Sequence, residues 1–582
     1  MPIERIKLDD APSADRIEAL KELYPEAFAD GAVNWSTLRD LASSAPAEDE
    51  EDTAEHFGLF WPGKREARRL AGKPAEGTLI PCPGEGVDEE KTSNIFIEGE
   101  NLEVLKLLRK SYKGRVKMIY IDPPYNTGND FVYDDNFTEP LEDYLRRTGQ
   151  IDGEGRPLTT NKKSEGRFHS KWLSMMYPRL RLARDLLRDD GVIFVSIDDN
   201  EVQHLRMLMN EMFGEENFVA SIVWKHTKQS KNDEPFFSRH YNSLLTFKKS
   251  DVLKKLQFPR TELDNKNYSN TDNDPKGDWR SGDVRSPNYR RTLIFPIVAP
   301  NGNVIAPPEN GWRWSKGEVQ KKIESGEIKF VDNDTRVVRK IYLCEQEGRT
   351  PENLWDGEEF GTTRSANAEI KDLFNDVAVF DTPKPVNLIK SMAEVFYPDS
   401  SGIFLDFFSG SATTAHAILN LNKEDAGHRK FILVQMPEAT PPDSEAAKAG
   451  FATIAEIGKE RIRRVIKKIK AEKAQELSAG DDAPDLGFKV FKLARSNFKP
   501  WKDYHGDDIA AVESLFKDAV TPLAPAWKDH PDSLFTEILL LEGYPLDSAV
   551  RRRPEFGANL IREVSCEHHE KKLLVCLDDV VA

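Results

Sequence analysis

Cysteine is scarce in this chain: Cys82, Cys344, Cys566 and Cys576 are its four in 582 residues. So few thiols over such a length exclude a disulfide framework. Cys566-Glu-His-His569 with Cys576 sketches a metal site, but the paired spacing of zinc ligands is missing. Isolated thiols and surface histidines are expected there, and no metal is assigned. Apolar runs are short. No stretch of about 18 apolar residues and no N-terminal signal pattern occurs, so a soluble, cytoplasmic protein with no membrane association is expected. A Gly-Lys-[Ser/Thr] phosphate loop is also missing, which excludes a P-loop ATPase, and no convincing nuclease site is present. Positive charge is lacking overall, with a net −17. That average does not decide against nucleic acid, because binding needs only a local basic face. From Lys225 to Arg291, 15 Lys and Arg stand against 9 Asp and Glu. The acidic surplus lies elsewhere, as in Glu48-Asp-Glu-Glu-Asp52, which reads as a solvated linker.

Two segments carry chemistry. The apolar run Val116–Ile121 leads into Asp122-Pro123-Pro124-Tyr125. It reads as a buried strand ending in a carboxylate, two rigid prolines and an aromatic ring. Ligands of open α/β sheets sit at that end of a strand. Proline has no N–H, so carbonyls in the loop are left to accept hydrogen bonds. Asp122 and the Pro123 carbonyl suit a flat substrate bearing an amino group, with Tyr125 stacked on its ring. A proline turn is the bland alternative.

Almost three hundred residues later, 402–421 reads as strand, small-residue loop and helix. Ile403–Phe407 is a short apolar strand. Phe408, Ser409, Gly410 and Ser411 form a loop whose amides can approach a ligand closely. Thr413 and Thr414 suit the first turn of a helix ending near Asn422.

Three flanking segments add weight: Asn94–Leu105 before the first site, Phe380-Asp-Thr382-Pro383-Lys384-Pro before the second, and Arg429–Glu438 after it. Together, and in this order, the segments resemble the β-class amino-methyltransferases of DNA. The resemblance covers about residues 90 to 440. Length and spacing look most like the modification (Mod) subunits of Type III restriction–modification systems. One departure stands out. The family's loop reads Phe-x-Gly-x-Gly, whereas Ala412 occupies the second glycine position here. At a positive φ an alanine costs on the order of 1 kcal/mol. In the first helical turn it is harmless, and that is the expectation.

The resemblance implies an α/β fold: a Rossmann-like methyltransferase sheet in permuted motif order, with an inserted target-recognition domain and N- and C-terminal extensions. It implies S-adenosyl-L-methionine as cofactor. Asp122, Pro123, Pro124 and Tyr125 would be the catalytic set. Asp406, Phe408, Ser409, Gly410, Ser411, Thr413, Thr382, Pro383, Lys384, Glu438 and Asn101 would bind the cofactor, Asp406 its amino group and Glu438 its ribose hydroxyls. It implies methylation at N6 of a flipped adenine, since relatives acting on the cytosine N4 amine usually carry Ser at the Asp122 place. The implied partners are double-stranded DNA, a second copy in a homodimer, and an ATP-dependent restriction (Res) subunit that cleaves. The setting is a bacterial or archaeal cytoplasm, at the nucleoid. Rival readings are an orphan DNA methyltransferase, an RNA or protein methyltransferase, and a recognition subunit weakened at Ala412.

The expected organisation follows the motifs. Residues 1–90 are an extension, with helices over 14–23 and 37–42 and a charged linker over 43–53. Residues 91–223 are the catalytic half, with a helix over 102–111, the 116–121 strand, a polar loop over 126–165, a helix over 171–187 and a strand over 191–197. Asn126-Thr-Gly-Asn-Asp130 positions the flipped nucleotide or is a plain loop. Residues 224–375 are the target-recognition insert, rich in Arg and aromatics at Trp224, Trp279-Arg280, Tyr289-Arg-Arg291 and Trp312-Arg-Trp314. Residues 376–475 are the cofactor half, in which the basic stretch 454–473 reads as a solvated helix. Residues 476–582 are a dimerisation or partner-binding region.

Overall fold

The computed structural model describes residues 20–21, 23–29, 32–35, 37–38, 58–127, 168–229, 235–475, 484–499 and 523–578. The linker over 43–53 and residues 128–165 of the polar loop lie outside them. Of the helices expected over 14–23 and 37–42, only 20–21, 23 and 37–38 are described, and these are helical. The chain divides into two compact units. The larger comprises Met1–Lys255, Glu352–Ala393 and Asp399–Ala582, and the smaller Leu256–Pro351 and Glu394–Pro398. The division is narrower than the insert expected over 224–375, because strands at both ends of that span belong to the sheet of the larger unit.

Among the described residues that sheet has ten strands: β1 Gly77–Pro81, β2 Ile95–Glu98, β3 Val116–Ile121, β4 Leu187–Ile197, β5 Phe218–Lys225, β6 Tyr241–Lys248, β7 Leu354–Trp355, β8 Ser401–Asp406, β9 His428–Gln435 and β10 Lys489–Arg495. Their order across the sheet is β7-β5-β6-β4-β3-β8-β9-β2-β10-β1. Six neighbours, β4 to β10 in that order, are parallel. A parallel strand covered on both faces reads as a continuous apolar run, and all six residues of β3 are buried. Lys117 is the exception in composition. Its ammonium bonds Asp190 at 3.0 Å and Asp399 at 2.7 Å, which offsets its burial.

Helices α1 Asn101–Tyr112, α2 Phe168–Leu186 and α3 Val202–Phe213 supply one side of the core. Leu102, Leu105, Trp172, Met176, Leu180, Leu205 and Met209 pack there with Ile119, Ile121 and Val195. Glu100 caps α1, accepting from the amides of Leu102 and Glu103 at 2.8 Å each. Helix α4 Thr413–Asp425 packs on β9, and helix α5 Ile454–Gln475 packs on α4. The solvated face expected for α5 is corrected here. Ile457, Val465 and Ile469 are buried, and so are Lys459 and Arg461.

The smaller unit holds an antiparallel sheet of Ile328–Val331, Arg336–Tyr342 and Trp279–Gly282, a two-stranded ribbon and the helix Lys316–Glu324. Its core gathers Val284, Ile297, Trp312, Val319, Ile328 and Val337. Trp279 and Trp312, expected among recognition contacts, are buried, whereas Tyr289, Arg290 and Arg291 are exposed. The apolar runs 537–541 and 573–577 of the tail enter the helix Pro531–Glu542 and the strand Leu573–Cys576.

Candidate active site

The parallel pair β3 and β8 brings the two sequence sites together, with Phe404 opposite Met118 and Leu405 opposite Ile119. From β3 the chain crosses through α2 to β4 on one side. From β8 it crosses through α4 to β9 on the other. The gap between them is a topological switch point, the place where an open α/β sheet takes its ligand. Asp122 follows β3 there, and Phe407 follows β8.

Asp122 accepts from the Tyr125 hydroxyl at 2.8 Å on Oδ1 and from Lys384 Nζ on Oδ2. Burial, and then the Asp122 charge, push the Tyr125 phenol well up, so it stays a donor at neutral pH. Lys384 also sits 5.3 Å from the centre of the Tyr125 ring, within cation–π range. Trp172 Nε1 holds the Pro124 carbonyl at 2.7 Å. No described residue donates to the Pro123 carbonyl. Asp122 and Pro123 are therefore presented as acceptors on a loop pinned from α2.

The loop after β8 is held from beneath. Asp406 is buried and accepts from the Phe408 amide at 3.1 Å and from Thr414 Oγ1 at 2.5 Å. Burial lifts its carboxyl to about 7. Asp406 was expected to bind the amino group of the cofactor, and both of its oxygens also fasten its own loop. Asn101 behaves alike: Nδ2 donates to the Phe407 carbonyl at 2.7 Å, and Oδ1 accepts from Arg179 Nε at 2.6 Å. Arg179 and Glu100, paired at 2.6 Å, are both buried, so α1, α2 and this loop share one polar core.

Gly410 has φ 50° and donates its amide to Gln435 Oε1 at 2.6 Å. A Cβ there would stand 3.2 Å from the Phe380 ring. Ala412 corrects the sequence expectation: it lies before the helix, not in its first turn, with φ 61° and ψ 39°. The backbone takes the left-handed geometry a glycine would, at a cost of about 1–2 kcal/mol.

Arg461 of α5 lies under this turn. Its NH1 donates to the Ser411 hydroxyl at 2.9 Å, the Ser411 carbonyl at 3.3 Å and Thr413 Oγ1 at 2.8 Å. NH2 meets His416 Nδ1 at 3.3 Å. Burial, and then Arg461, hold the His416 imidazole well below its usual range, so it is neutral and can accept. Burial lowers the Arg461 guanidinium to about 10, which leaves it charged at neutral pH. Ser411 and Thr413 are thus tied to α5. Thr382 is exposed and Pro383 buried in the turn carrying Lys384, and Glu438 lies just past β9.

The buried Ser409 hydroxyl has no hydrogen-bond partner among the described residues. With Gly410 kept free of a side chain, the Phe408–Ala412 loop fits a small ligand with polar groups, as S-adenosyl-L-methionine has.

Sequence reading missed Arg461, Gln435, Arg179 and Trp172. Arg461 left a trace. It stands at four-residue spacing with Ile457, Val465 and Ile469, on the apolar stripe of its helix. It also missed a cluster of His169, Glu201 and His204 beside the first site. Among the described residues Cys566, His568, His569 and Cys576 form no such grouping.

Comparison with known proteins agrees with this geometry. The family model described as DNA methylase matches residues 116–467. The Type III restriction–modification enzyme StyLTI Mod subunit of Salmonella typhimurium is 34% identical, over 93% of this chain and 86% of that protein. The EcoPI Mod subunit of Escherichia phage P1 is 33% identical, over 92% and 87%. The EcoP15I Mod subunit of Escherichia coli is 31% identical, over 93% and 86%. The chain therefore belongs to the DNA methylase family, as a site-specific, S-adenosyl-L-methionine-dependent DNA methyltransferase of the Type III Mod kind.

Proposed function

We propose that this protein methylates N6 of an adenine flipped out of duplex DNA, as the modification and specificity subunit of a Type III system. The observation that carries the reading is the pair of acceptors at the switch point, the Asp122 carboxylate and the Pro123 carbonyl. An exocyclic amine is a poor nucleophile because its lone pair is delocalised into the ring. Two acceptors on its hydrogens favour the pyramidal form that frees the lone pair, and this interaction strengthens toward the transition state. A carboxylate is far too weak a base to deprotonate a neutral amine outright. Each carboxylate oxygen can accept more than one hydrogen bond, so Asp122 can take an amine hydrogen while Tyr125 and Lys384 stay bound. Tyr125 stacks on the flipped base.

The bound cofactor supplies an electrophilic methyl group on a sulfonium. For its part, the chain offers the Ser409 hydroxyl and the loop amides around Gly410 to the methionine portion, and Glu438 to the ribose. Phe408 opens the loop, where an aromatic face favours a cation. Thr382 and Pro383 close from the turn that brings Lys384 to Asp122.

Asp at position 122 supports adenine over cytosine. The names of the relatives support the wider setting of a restriction–modification enzyme; in it we place an ATP-dependent restriction subunit and a second copy of this chain, as the resemblance implies. Incubation with labelled S-adenosyl-L-methionine and mixed-sequence duplex DNA, followed by digestion to nucleosides, tests the reading. N6-methyladenine is expected. N4-methylcytosine would replace the adenine assignment, and no incorporation into DNA, with incorporation when RNA is supplied instead, would replace the substrate.

A further inference from the structure

The backbone leaves the catalytic loop through Asn126, which is buried and has φ 58°. Asn tolerates this left-handed geometry better than most residues. Its Nδ2 donates to Glu201 Oε1 at 2.5 Å. Glu201 is itself fully buried, directly before α3. His169 Nδ1 approaches the same Oε1 at 2.6 Å, and His204 Nδ1 approaches Oε2 at 2.8 Å. The two imidazole rings stand 4.6 Å apart, centre to centre. His169 lies in the first turn of α2, the helix that also carries Trp172 and so holds the Pro124 carbonyl.

A metal ion is the first alternative for two histidines and a carboxylate. Donors bound about 2.0–2.2 Å from a zinc ion stand more than about 3 Å from one another. Separations of 2.6 and 2.8 Å are hydrogen-bond lengths, and the Asn126 amide occupies part of Oε1 as well. The carboxyl group is satisfied as it stands: nitrogens from three elements converge on a polar group that would be costly to bury without partners. The segment Asn126–Asp130 was expected either to position the flipped nucleotide or to be a plain loop; residues 128–130 lie outside the described residues, and the Asn126 amide nitrogen points into Glu201.

We infer that Glu201, gripped by His169 and His204, is a positioning residue that fixes Asn126 and through it the aim of Tyr125 and Asp122. Trp172 and Asn126 grip the loop on either side of Tyr125, at the Pro124 carbonyl and at the residue after the ring. The inference rests on the proposed reaction at Asp122. Near-attack geometry is sensitive, and a displacement of about 1 Å can cost ~100-fold in rate.

Asn126→Gly is the decisive variant, because glycine keeps the left-handed turn and removes only the amide. It is expected to lower kcat for adenine methylation by at least about tenfold, leaving the Kd for S-adenosyl-L-methionine and the KM for DNA within about twofold. Glu201→Ala is expected to act in the same direction. Adding Asn126→Gly to it should lower kcat little further, since the two residues share one interaction. Hydrogen exchange at the Tyr125 and Asn126 amides gives a readout that needs no turnover, and it should accelerate in Asn126→Gly. Should Glu201→Ala fail to fold, the glycine variant stands alone. Wild-type kcat and unchanged exchange in Asn126→Gly would overturn the inference. So would wild-type activity that is lost on chelation and restored by Zn²⁺, which would make the cluster a metal site. A wild-type protein that methylates no adenine would instead fail the proposed function, and the exchange measurement would still decide the brace.

Discussion

Lys384 Nζ bonds the carboxylate of Asp122, 262 residues earlier in the chain. A cation on one carboxylate oxygen leaves Asp122 an acceptor, which suits a residue that orients an amine and does not deprotonate it. Lys384 also covers the Tyr125 ring. Lys384→Met, which keeps the length and removes the charge, should lower kcat by about tenfold or more, in line with loss of an electrostatic contact at the reacting groups. Duplex affinity should change little. Steady-state methylation with duplex binding measured in parallel checks this, and equal losses in both would assign Lys384 to DNA binding.

Arg461 ties Ser411 and Thr413 to α5 from a fully buried position. Arg461→Met fills similar space but leaves the loop hydroxyls unpartnered, at about 1–3 kcal/mol for each buried group. The variant should melt lower and bind S-adenosyl-L-methionine at least about tenfold more weakly, the equivalent of about 1.4 kcal/mol. Calorimetric titration and thermal melts with and without cofactor measure both effects. Unchanged cofactor affinity would confine Arg461 to packing.

Ala412 lies where a glycine is easiest, yet three effects oppose one another in Ala412→Gly. Relief of the left-handed strain is worth about 1–2 kcal/mol. Loss of one buried methyl costs about 0.8 kcal/mol, and the extra freedom of the unfolded chain costs about 0.4–1 kcal/mol. Near cancellation is expected, with stability and cofactor Kd close to wild type. Ala412→Val should be severely destabilising, because a β-branched side chain tolerates positive φ poorly. Denaturant melts of the two variants test this. A large gain from the glycine would mean that the alanine is a lesion.

Asp406 gives a pH dependence. Its carboxyl is raised from 3.8 to about 7 by burial. A group raised on folding stabilises most fully below its unfolded value, and that contribution is lost as pH rises through the folded value. The Asp406 contribution should therefore decline between about pH 4 and pH 7. Urea melts across that window should show a larger fall for wild type than for Asp406→Asn. Identical slopes would place the titration elsewhere.

Much of this site is legible in the amino-acid sequence. Asp122-Pro-Pro-Tyr125 announces itself because β3 is an unbroken apolar run with chemistry at its end. The expected 116–121 strand matches β3 to the residue, since local pattern decides it. What lay hidden depends on burial of polar groups, which composition cannot distinguish from exposure. Lys459 and Arg461 read as a solvated basic face and are core residues. Trp279 and Trp312 read as recognition aromatics and are buried, Trp312 within the core of the smaller unit. The hydrogen bonds that hold Asn101 and Asp406 come from neighbours that only the tertiary fold supplies.

The central claim is that the Asp122 carboxylate acts on the amine of the target base and not on the cofactor. Comparing wild type with Asp122→Ala in one experiment, with bound S-adenosyl-L-methionine and N6-methyladenine both quantified, tests it most directly. The account predicts cofactor binding within about twofold of wild type, with methyladenine reduced by about a hundredfold or more. Near wild-type methylation by the variant, or loss of cofactor binding equal to the loss of methylation, would contradict it.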